Sequence, residues 1–264
     1  MKKRIVWILV SVLLILAIGI SLSAKPLYKL YIRHMIESGH YSDAEATVRS
    51  FALDHDIPFS EYPDEMIALL ERNPETEEFV LNYPLMIGKE ANVDLSEYEN
   101  CTAVPLFLQW DPQWGYLEYG SNVAGLTACG PVCLAMAGYY LTGDERFSPD
   151  RVMEFALEKG YYAPGSGSSW SLISEGGWKL GLDVTEIPLD ENRMIRNLEV
   201  DNPIICVMGP GHFTTTGHFI VLTGYENGMF RVNDPNSIAN SERLWAYEEF
   251  YDQIKNLWVI RSIG

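Results

Sequence analysis

The stretch that decides the fold runs from Thr127 to Leu141 and reads TACGPVCLAMAGYYL. Its apolar residues recur at helical spacing, and Pro131 suits a first helical turn, where its missing N–H group has no partner anyway. The sequence therefore predicts a helix with Cys129 at its N-terminus. There the helix dipole and the unpaired N–H groups favour the thiolate form of a cysteine. Cys129 is thus a candidate nucleophile, and the alternative is a small buried core residue.

The composition limits the classes of partner. The chain has 264 residues, of which 47% are hydrophobic, and a formal net charge of −17. This length is enough for one good core and a smaller additional segment. The negative charge argues against nucleic acid or an anionic membrane surface as a partner of the soluble part.

The N-terminal segment has the pattern of an export signal. Three basic residues, at positions 2–4, precede an apolar run from Ile5 to Leu22. The run is close to the lower limit of about 17 residues for crossing a bilayer. We expect residues 1–24 to be an uncleaved membrane anchor rather than a cleaved signal peptide, with both left open. Either one places the rest of the chain outside the cytoplasm, membrane-anchored or secreted.

The remaining chain divides by pattern into two parts. Residues 25–100 predict a polar helical stalk or spacer, whose helical pattern ends at Tyr83-Pro84. Residues 101–264 predict the catalytic domain. In it we expect strands at 104–110, 183–189, 203–209, 218–225, 229–235 and 257–262. We expect helices that begin at Cys129 and at Ser148, a helix capped by Ser168 or Ser169 that runs through Leu180, and helices over 191–199 and around 245–254. Helices followed by antiparallel strands indicate an α+β fold, with the leading helix packed on a sheet.

The cysteines do not indicate a disulfide framework or a metal site. The four residues, Cys101, Cys129, Cys133 and Cys206, are too few and too scattered for a framework and lack the paired spacing of a zinc site. A disulfide between Cys101 and Cys206 is left open, although Cys206 is most simply a core residue of an apolar strand. No metal and no organic cofactor is implied.

A thiolate nucleophile needs a base, and that base needs an orienting partner. Only two histidines follow Cys129, namely His212 and His218. His212 lies in a loop rich in glycine and threonine, where a solvated or substrate-facing histidine is expected. His218 begins an apolar strand, where an unpartnered histidine is costly. We therefore prefer His218 as the base.

The candidate for the orienting acid follows from a hairpin at Asn227-Gly228. If these two residues form the loop, His218 lies opposite Ser237, and Asp234 is offset by three residues. A bulge is then needed to bring Asp234 to the imidazole. Asn236 is nearer in this register, but a carboxylate accepts from the ring N–H more strongly than an amide does. We prefer Asp234, and an Asp-Pro turn that only closes a strand explains the same residues equally well.

Acyl transfer also requires donors for an oxyanion. The backbone N–H of Cys129 is one candidate, and the side-chain amide of Gln109, at the end of the first predicted strand, is the other. The loop from Gly165 to Trp170 is a candidate wall on the substrate side. Trp170 is either a contact surface for substrate or an ordinary core residue.

Three stretches, VPLFLQWDPQWG, TACGPVCLAMAGYYL and GHFTTTGHFIVLTGYENGMFRVNDPNS, resemble the C39-like, bacteriocin-processing branch of the papain-like cysteine peptidases. The resemblance covers the chain from about Val104 to the C-terminus and implies the papain-like fold. It also implies that Cys129 is the nucleophile, His218 the base, Asp234 the orienting acid and Gln109 the oxyanion donor.

The chain departs from the family pattern at one point. The glutamine of the best-known members lies only a few residues before the cysteine, whereas here residues 111–128 intervene. Members fused to transporters cut leader peptides after paired glycines. Because this chain has no transporter or ATP-binding motif, that substrate is not implied.

The sequence as a whole predicts an extracytoplasmic thiol hydrolase, a cysteine peptidase that forms a thioester intermediate. We expect a peptide or a peptidoglycan peptide as substrate, no nucleic acid partner, and membrane contact through the N-terminal segment only. Two alternatives stay open: a peptidoglycan amidase or endopeptidase of related fold, and an inactive peptide-binding module at the cell surface. A pure binding module would have no physical need to keep Cys129, His218 and Asp234 together.

Overall fold

The computed structural model describes residues 25–263, which form two compact units. The first ends at Pro84, and the second begins at Leu85. The anchor or signal peptide predicted for residues 1–24 lies outside the described residues. No helix within residues 25–263 is both long and apolar enough to cross a membrane.

From residue 25 to Met86 the chain is mostly helical. Its helices are α1 (residues 25–37), α2 (Asp43–Asp54), α3 (Asp64–Arg72) and α4 (Glu77–Met86). Each buries one apolar side, as α3 does with Met66, Leu69 and Leu70. The prediction that Tyr83-Pro84 ends the helical pattern is wrong, because Pro84 lies inside α4. A proline so close to a helix end disturbs few bonds of the helix, and α4 stops two residues later.

The second unit is built on a six-stranded antiparallel sheet, which two small hairpins precede. The hairpins are β1 (Glu118–Tyr119) with β2 (Asn122–Val123) and β3 (Tyr162–Ala163) with β4 (Gly167–Ser168). The strands of the sheet are β5 (Leu182–Glu186), β6 (Ile204–Met208), β7 (His218–Glu226), β8 (Met229–Asn233), β9 (Leu244–Trp245) and β10 (Ile254–Ser262). Their order across the sheet is β5-β10-β6-β7-β8-β9.

Helices cover the sheet on both faces. The helices of this unit are α5 (Ala124–Thr127), α6 (Cys129–Thr142), α7 (Pro149–Glu158), α8 (Gly177–Lys179), α9 (Glu191–Leu198), α10 (Ile238–Glu242) and α11 (Tyr247–Phe250). Alternation along β6 sends Ile205 and Val207 into the core shared with α6, and Cys206 into the core shared with α9. The predicted α+β fold, with the cysteine helix packed on an antiparallel sheet, is therefore present.

The strand predicted at residues 104–110 does not form. This stretch is extended, but it joins no ladder, and the side chain of Asn233 donates to the carbonyl groups of Val104 and Pro105 at 3.0 Å. Pro105 has no N–H group to give to a ladder. The segment is thus held beside the end of β8 by side-chain contacts, and not by strand pairing.

Two predicted helices have different limits from those expected. Trp245 lies in β9, and the helix expected around 245–254 is reduced to α11 and a 3-10 turn over Tyr251–Gln253. Ser168 pairs with Tyr162 in a hairpin, so the helix after it begins as a π-helix over Leu172–Gly176. Periodicity alone does not reveal such short pairings.

Candidate active site

Cys129 is the first residue of α6, and its side chain is half-buried. The preceding residue, Ala128, gives the helix no side-chain cap. The first N–H groups of an α-helix lack partners within the helix, and they carry its positive dipole end. The sulfur atom therefore lies where a negative charge is stabilised.

A glycine lets this end of α6 approach β7 closely. A Cβ atom at Gly130 would lie 3.0 Å from the Cβ atom of Ser168 and 3.4 Å from the ring of Phe219. Phe219 directly follows His218, so the close approach puts the N-terminus of α6 beside the start of β7. Cys129 and His218 are brought together in this way, and the charge of Cys129 acts on the imidazole of His218.

The imidazole of His218 is buried and paired with Asp234. Its Nε2–H donates to Oδ1 of Asp234 at 2.7 Å, and the two residues are 8% and 1% exposed. The β7–β8 hairpin turns at Asn227-Gly228, both with positive φ, and its register shifts between Leu222 and Gly224. This bulge moves Asp234 one position closer to His218 than an unbroken hairpin would. The shifted register puts His218 opposite Asn236, with Asp234 two positions away, and the ring bonds to Asp234.

The proton affinity of His218 is raised by its neighbours. Burial alone lowers the pKa of this imidazole, but the charge and hydrogen bond of Asp234, together with those of Cys129, outweigh burial and raise the pKa to about 10. The imidazole therefore keeps its second proton at neutral pH. A protonated imidazole beside a sulfur atom favours the thiolate, which is the form that attacks a carbonyl group.

The carboxylate of Asp234 is held by residues that the sequence analysis did not single out. Its Oδ1 also accepts from the backbone N–H of Asn236 at 2.9 Å, and its Oδ2 accepts from Nδ2 of Asn240 at 2.8 Å. The hydroxyl of Ser241 accepts from the backbone N–H of Asp234 at 2.9 Å. Asn240 and Ser241 lie on α10, which was not predicted. Ser237, a typical N-cap residue at the start of α10, was the available signal for it.

Gln109 is buried, and its hydrogen bonds go to neighbours of Cys129 and Asp234 rather than to those residues. Its Nε2 donates to the carbonyl oxygen of Gly125 at 2.7 Å, and its backbone N–H donates to that of Pro235 at 2.7 Å. Gly125 lies in α5, four residues before Cys129, and Pro235 follows Asp234. Gln109 is thus held between the two sides of the site, and one proton of its amide is left for another acceptor.

The Gly- and Ser-rich loop packs against the same helix end. Gly167 has a φ of +76°, and a Cβ atom there would lie 2.5 Å from the carbonyl oxygen of Thr127. Ser168 is hydrogen-bonded at 2.6 Å to the hydroxyl of Tyr119. The pKa of Tyr119 is raised to about 12, mainly by burial. The hydrogen bond to Ser168 lowers this pKa, and the charge of Cys129 raises it further. The exposed Trp170 packs edge-on against Trp258.

The remaining candidates lie apart from the triad. His212 is exposed, and its ring packs against Trp245, so it is not the base of Cys129. All four cysteines are free thiols, so the Cys101–Cys206 disulfide that was left open is absent. Cys206 is fully buried, as a core residue would be. Within residues 25–263 no group of histidine, cysteine and acidic side chains is arranged to hold a metal ion.

The chain matches the model of the Peptidase C39 like family over residues 101–261. It belongs to this family. The match confirms the resemblance seen in the sequence, and it includes all four candidate site residues. Membership of the C39 like family indicates a cysteine peptidase.

Solved structures of similar proteins are also C39-like peptidases. The peptidase domain of Streptococcus ComA, described as a bi-functional ABC transporter involved in a quorum sensing pathway, is 20% identical, with 51% of this chain and 91% of that chain covered and a TM-score of 0.40. A C39-like peptidase from Bacillus anthracis is 15% identical, with 61% and 96% covered and a TM-score of 0.41. No curated protein matches the chain.

Proposed function

We propose that this protein is an extracytoplasmic cysteine peptidase in which Cys129, His218 and Asp234 form the catalytic triad. One observation carries the proposal: buried His218 bonds to Asp234 at 2.7 Å through one ring nitrogen, and the neighbouring Cys129 acts on the same imidazole. Each member of the set then has the partner that nucleophilic catalysis requires.

The first half of the reaction is acylation. The Cys129 thiolate attacks the carbonyl carbon of the substrate, and the carbonyl oxygen becomes an oxyanion. The backbone N–H of Cys129 and the second amide proton of Gln109 donate to this oxyanion. When the tetrahedral intermediate collapses, the C–N bond breaks, His218 gives its proton to the leaving amine, and a thioester remains on Cys129.

The second half is hydrolysis of the thioester. His218, now neutral, takes a proton from water, and the resulting hydroxide attacks the thioester carbonyl carbon. The C–S bond breaks, the sulfur leaves as thiolate, and the product carboxylic acid is released. His218 is again an imidazolium, so the starting ion pair is restored without a metal or cofactor in any step.

The peptidase proposal is tested by cleavage in ¹⁸O-labelled water. The purified protein is incubated with a mixture of synthetic peptides and with muropeptides, and mass spectrometry locates new carboxyl termini. The proposal requires one ¹⁸O atom in each new carboxyl group, and no cleavage by Cys129→Ala or His218→Ala. Equal cleavage by Cys129→Ala would contradict it. Binding without cleavage would favour the peptide-binding module.

We also propose that the protein acts outside the cytoplasm, held by residues 1–24 or released after their removal. The basic residues before the apolar run support this orientation. The test is expression of the full chain, separation of membrane, medium and cytoplasm, and N-terminal sequencing of the recovered protein. Recovery of the whole protein from the cytoplasm, with Met1 at its N-terminus, would contradict the proposal.

A further inference from the structure

The two oxygen atoms of the Asp234 carboxylate are held by different elements. Oδ1 accepts from His218 and from the backbone N–H of Asn236, whereas Oδ2 accepts from Nδ2 of Asn240 at 2.8 Å. Because Asp234 is only 1% exposed, water has little access to replace a lost donor. If the carboxylate turned about its Cβ–Cγ bond, the bonds at both oxygen atoms would break together.

Asn240 is itself fixed by two backbone contacts. Its carbonyl oxygen accepts from the indole Nε1–H of Trp245 at 2.9 Å, and its N–H donates to the hydroxyl of Ser237 at 3.2 Å. Trp245 is 1% exposed, so its indole ring is locked by packing. The short helix α10 is therefore held in the one place from which Asn240 reaches Asp234.

Trp245 also supports the segment that leads into His218. The ring of Phe213, in the loop before β7, packs against Trp245 with 4.5 Å between the ring centroids. The same loop is tied by Gln253, whose side-chain oxygen accepts from the N–H of His212 at 2.8 Å. One aromatic residue thus contacts both the loop that leads into His218 and the helix whose Asn240 bonds to Asp234.

We propose that Asn240 is a positioning residue that holds the Asp234 carboxylate against His218, and that Trp245 keeps Asn240 in place. This inference rests on the proposed function. Asn240 does not reach the substrate or the sulfur; it acts through the orientation of Asp234. The expected effect of its loss is therefore on the ionisation of the Cys129–His218 pair as well as on folding.

The groups that act on His218 decide in which direction the loss of Asn240 shifts the ionisation of the Cys129–His218 pair. Burial disfavours its charged form, and among the described residues the charges of Asp234 and Cys129 oppose burial. If the carboxylate turns away, it raises the pKa of His218 less, while burial still lowers that pKa. The imidazolium form is then less stable. Less thiolate then exists at Cys129 in mildly acidic solution.

The test is the rate of Cys129 alkylation by iodoacetamide between pH 4.5 and 9, followed by mass spectrometry on the full chain. We expect the midpoint of the profile for Asn240→Ala to move upward by about one pH unit, so that the rate falls about tenfold at pH values below both midpoints. Asn240→Gln keeps an amide donor and should restore part of the rate. Trp245→Phe loses the indole N–H together with part of the fused ring, and its profile should lie between those of Asn240→Ala and the wild type.

Trp258→Phe is the matched control, because the indole N–H of Trp258 is buried and has no partner among the described residues. Its profile should equal that of the wild type. A wild-type profile for both Asn240→Ala and Trp245→Phe would overturn the positioning role. If Asn240→Ala does not fold, Asn240→Gln and Trp245→Phe test the positioning role instead. Wild-type profiles for both of these variants would likewise overturn that role.

The same data separate this inference from the proposed function. A wild-type Cys129 that ionises like a free thiol, with no change in His218→Ala, would overturn both. A wild-type ion pair that His218→Ala removes and Asn240→Ala leaves unchanged would overturn only the role of Asn240.

Discussion

Nε2 of Gln109 donates a hydrogen bond to the carbonyl oxygen of Gly125 at 2.7 Å, and this contact decides which way the amide points. If the amide were flipped, two oxygen atoms would face each other, so the N–H₂ end is fixed on the side of α5. Gln109 therefore keeps its place in the account as an oxyanion donor, although it is twenty positions before Cys129 in the chain.

Gln109→Ala separates the oxyanion role from thiolate formation. Acylation by p-nitrophenyl acetate passes through an oxyanion, and we expect its rate to fall about 10²-fold in this variant. Alkylation of Cys129 by iodoacetamide forms no oxyanion and should keep the wild-type rate. Both rates are measured by stopped-flow or quenched reaction.

The matched control for that variant is Gln113→Ala, whose glutamine side chain accepts from the N–H of Asp94. It should leave both reactions unchanged. Equal loss of acylation and alkylation in Gln109→Ala would show that Gln109 supports the site only by packing.

Substitution of Asp234 should lower the proton affinity of His218 in two steps. Asp234→Asn keeps an acceptor for the ring N–H but removes the charge that raises the pKa of His218. Asp234→Ala removes both and leaves a buried imidazole without its partner, at a cost of about 3–5 kcal/mol in stability. Imidazole ¹⁵N shifts, followed against pH, should rank the pKa of His218 as wild type, then Asp234→Asn, then Asp234→Ala. An unchanged titration in Asp234→Asn would contradict the assigned pair.

Stability should fall in alkaline solution because of His218. Its pKa is raised in the folded state from 6.5 to about 10, so its contribution is fully present below pH 6.5 and is lost as pH rises through about 10. The window from about pH 9 to 10 is the cleanest, since most free thiols of the unfolded chain, with a pKa of about 8.5, are ionised there. We expect the unfolding free energy of the wild type, relative to His218→Ala, to fall there with a slope that approaches about 1.4 kcal/mol per pH unit. A difference that stays constant or grows across this window would contradict the raised pKa.

Gly167→Ala tests the packing of the loop on the catalytic helix. A methyl group there would lie 2.5 Å from the carbonyl oxygen of Thr127, so the loop or the helix start must move. Gly165→Ala has nearly the same positive φ, +75°, but no atom within 4 Å. Both should lose about 1–2 kcal/mol from backbone strain, and Gly167→Ala should lose about 1–3 kcal/mol more from overpacking. Equal unfolding midpoints in urea for the two variants would contradict this packing.

The sequence was most informative where one pattern controls both fold and chemistry. The helical spacing after Cys129 predicted α6, and short apolar runs predicted the four central strands, because both faces of the sheet are covered. The hairpin at Asn227-Gly228 also predicted that a bulge must intervene before Asp234 can reach His218. The register shift after Leu222 supplies that bulge.

The sequence was least informative where contacts distant in the chain decide the structure. Residues 104–108 form an apolar run like that of a buried strand, yet Asn233 takes up carbonyl groups that a ladder would use. The role of Asn240 depends on a 2.8 Å contact with Asp234 that spacing within a five-residue helix does not reveal. Such contacts become visible only when the elements are placed in space.

The central claim, a thiolate–imidazolium pair at Cys129 and His218, is tested most directly by site-resolved alkylation. Burial raises the pKa of Cys101, Cys133 and Cys206, so these three thiols are internal controls in the same chain. The account predicts that iodoacetamide labels Cys129 selectively, well below the ordinary thiol range of about pH 8.5, and that His218→Ala removes this labelling. Labelling of Cys129 with the pH dependence of a free thiol, and with no effect of His218→Ala, would contradict it.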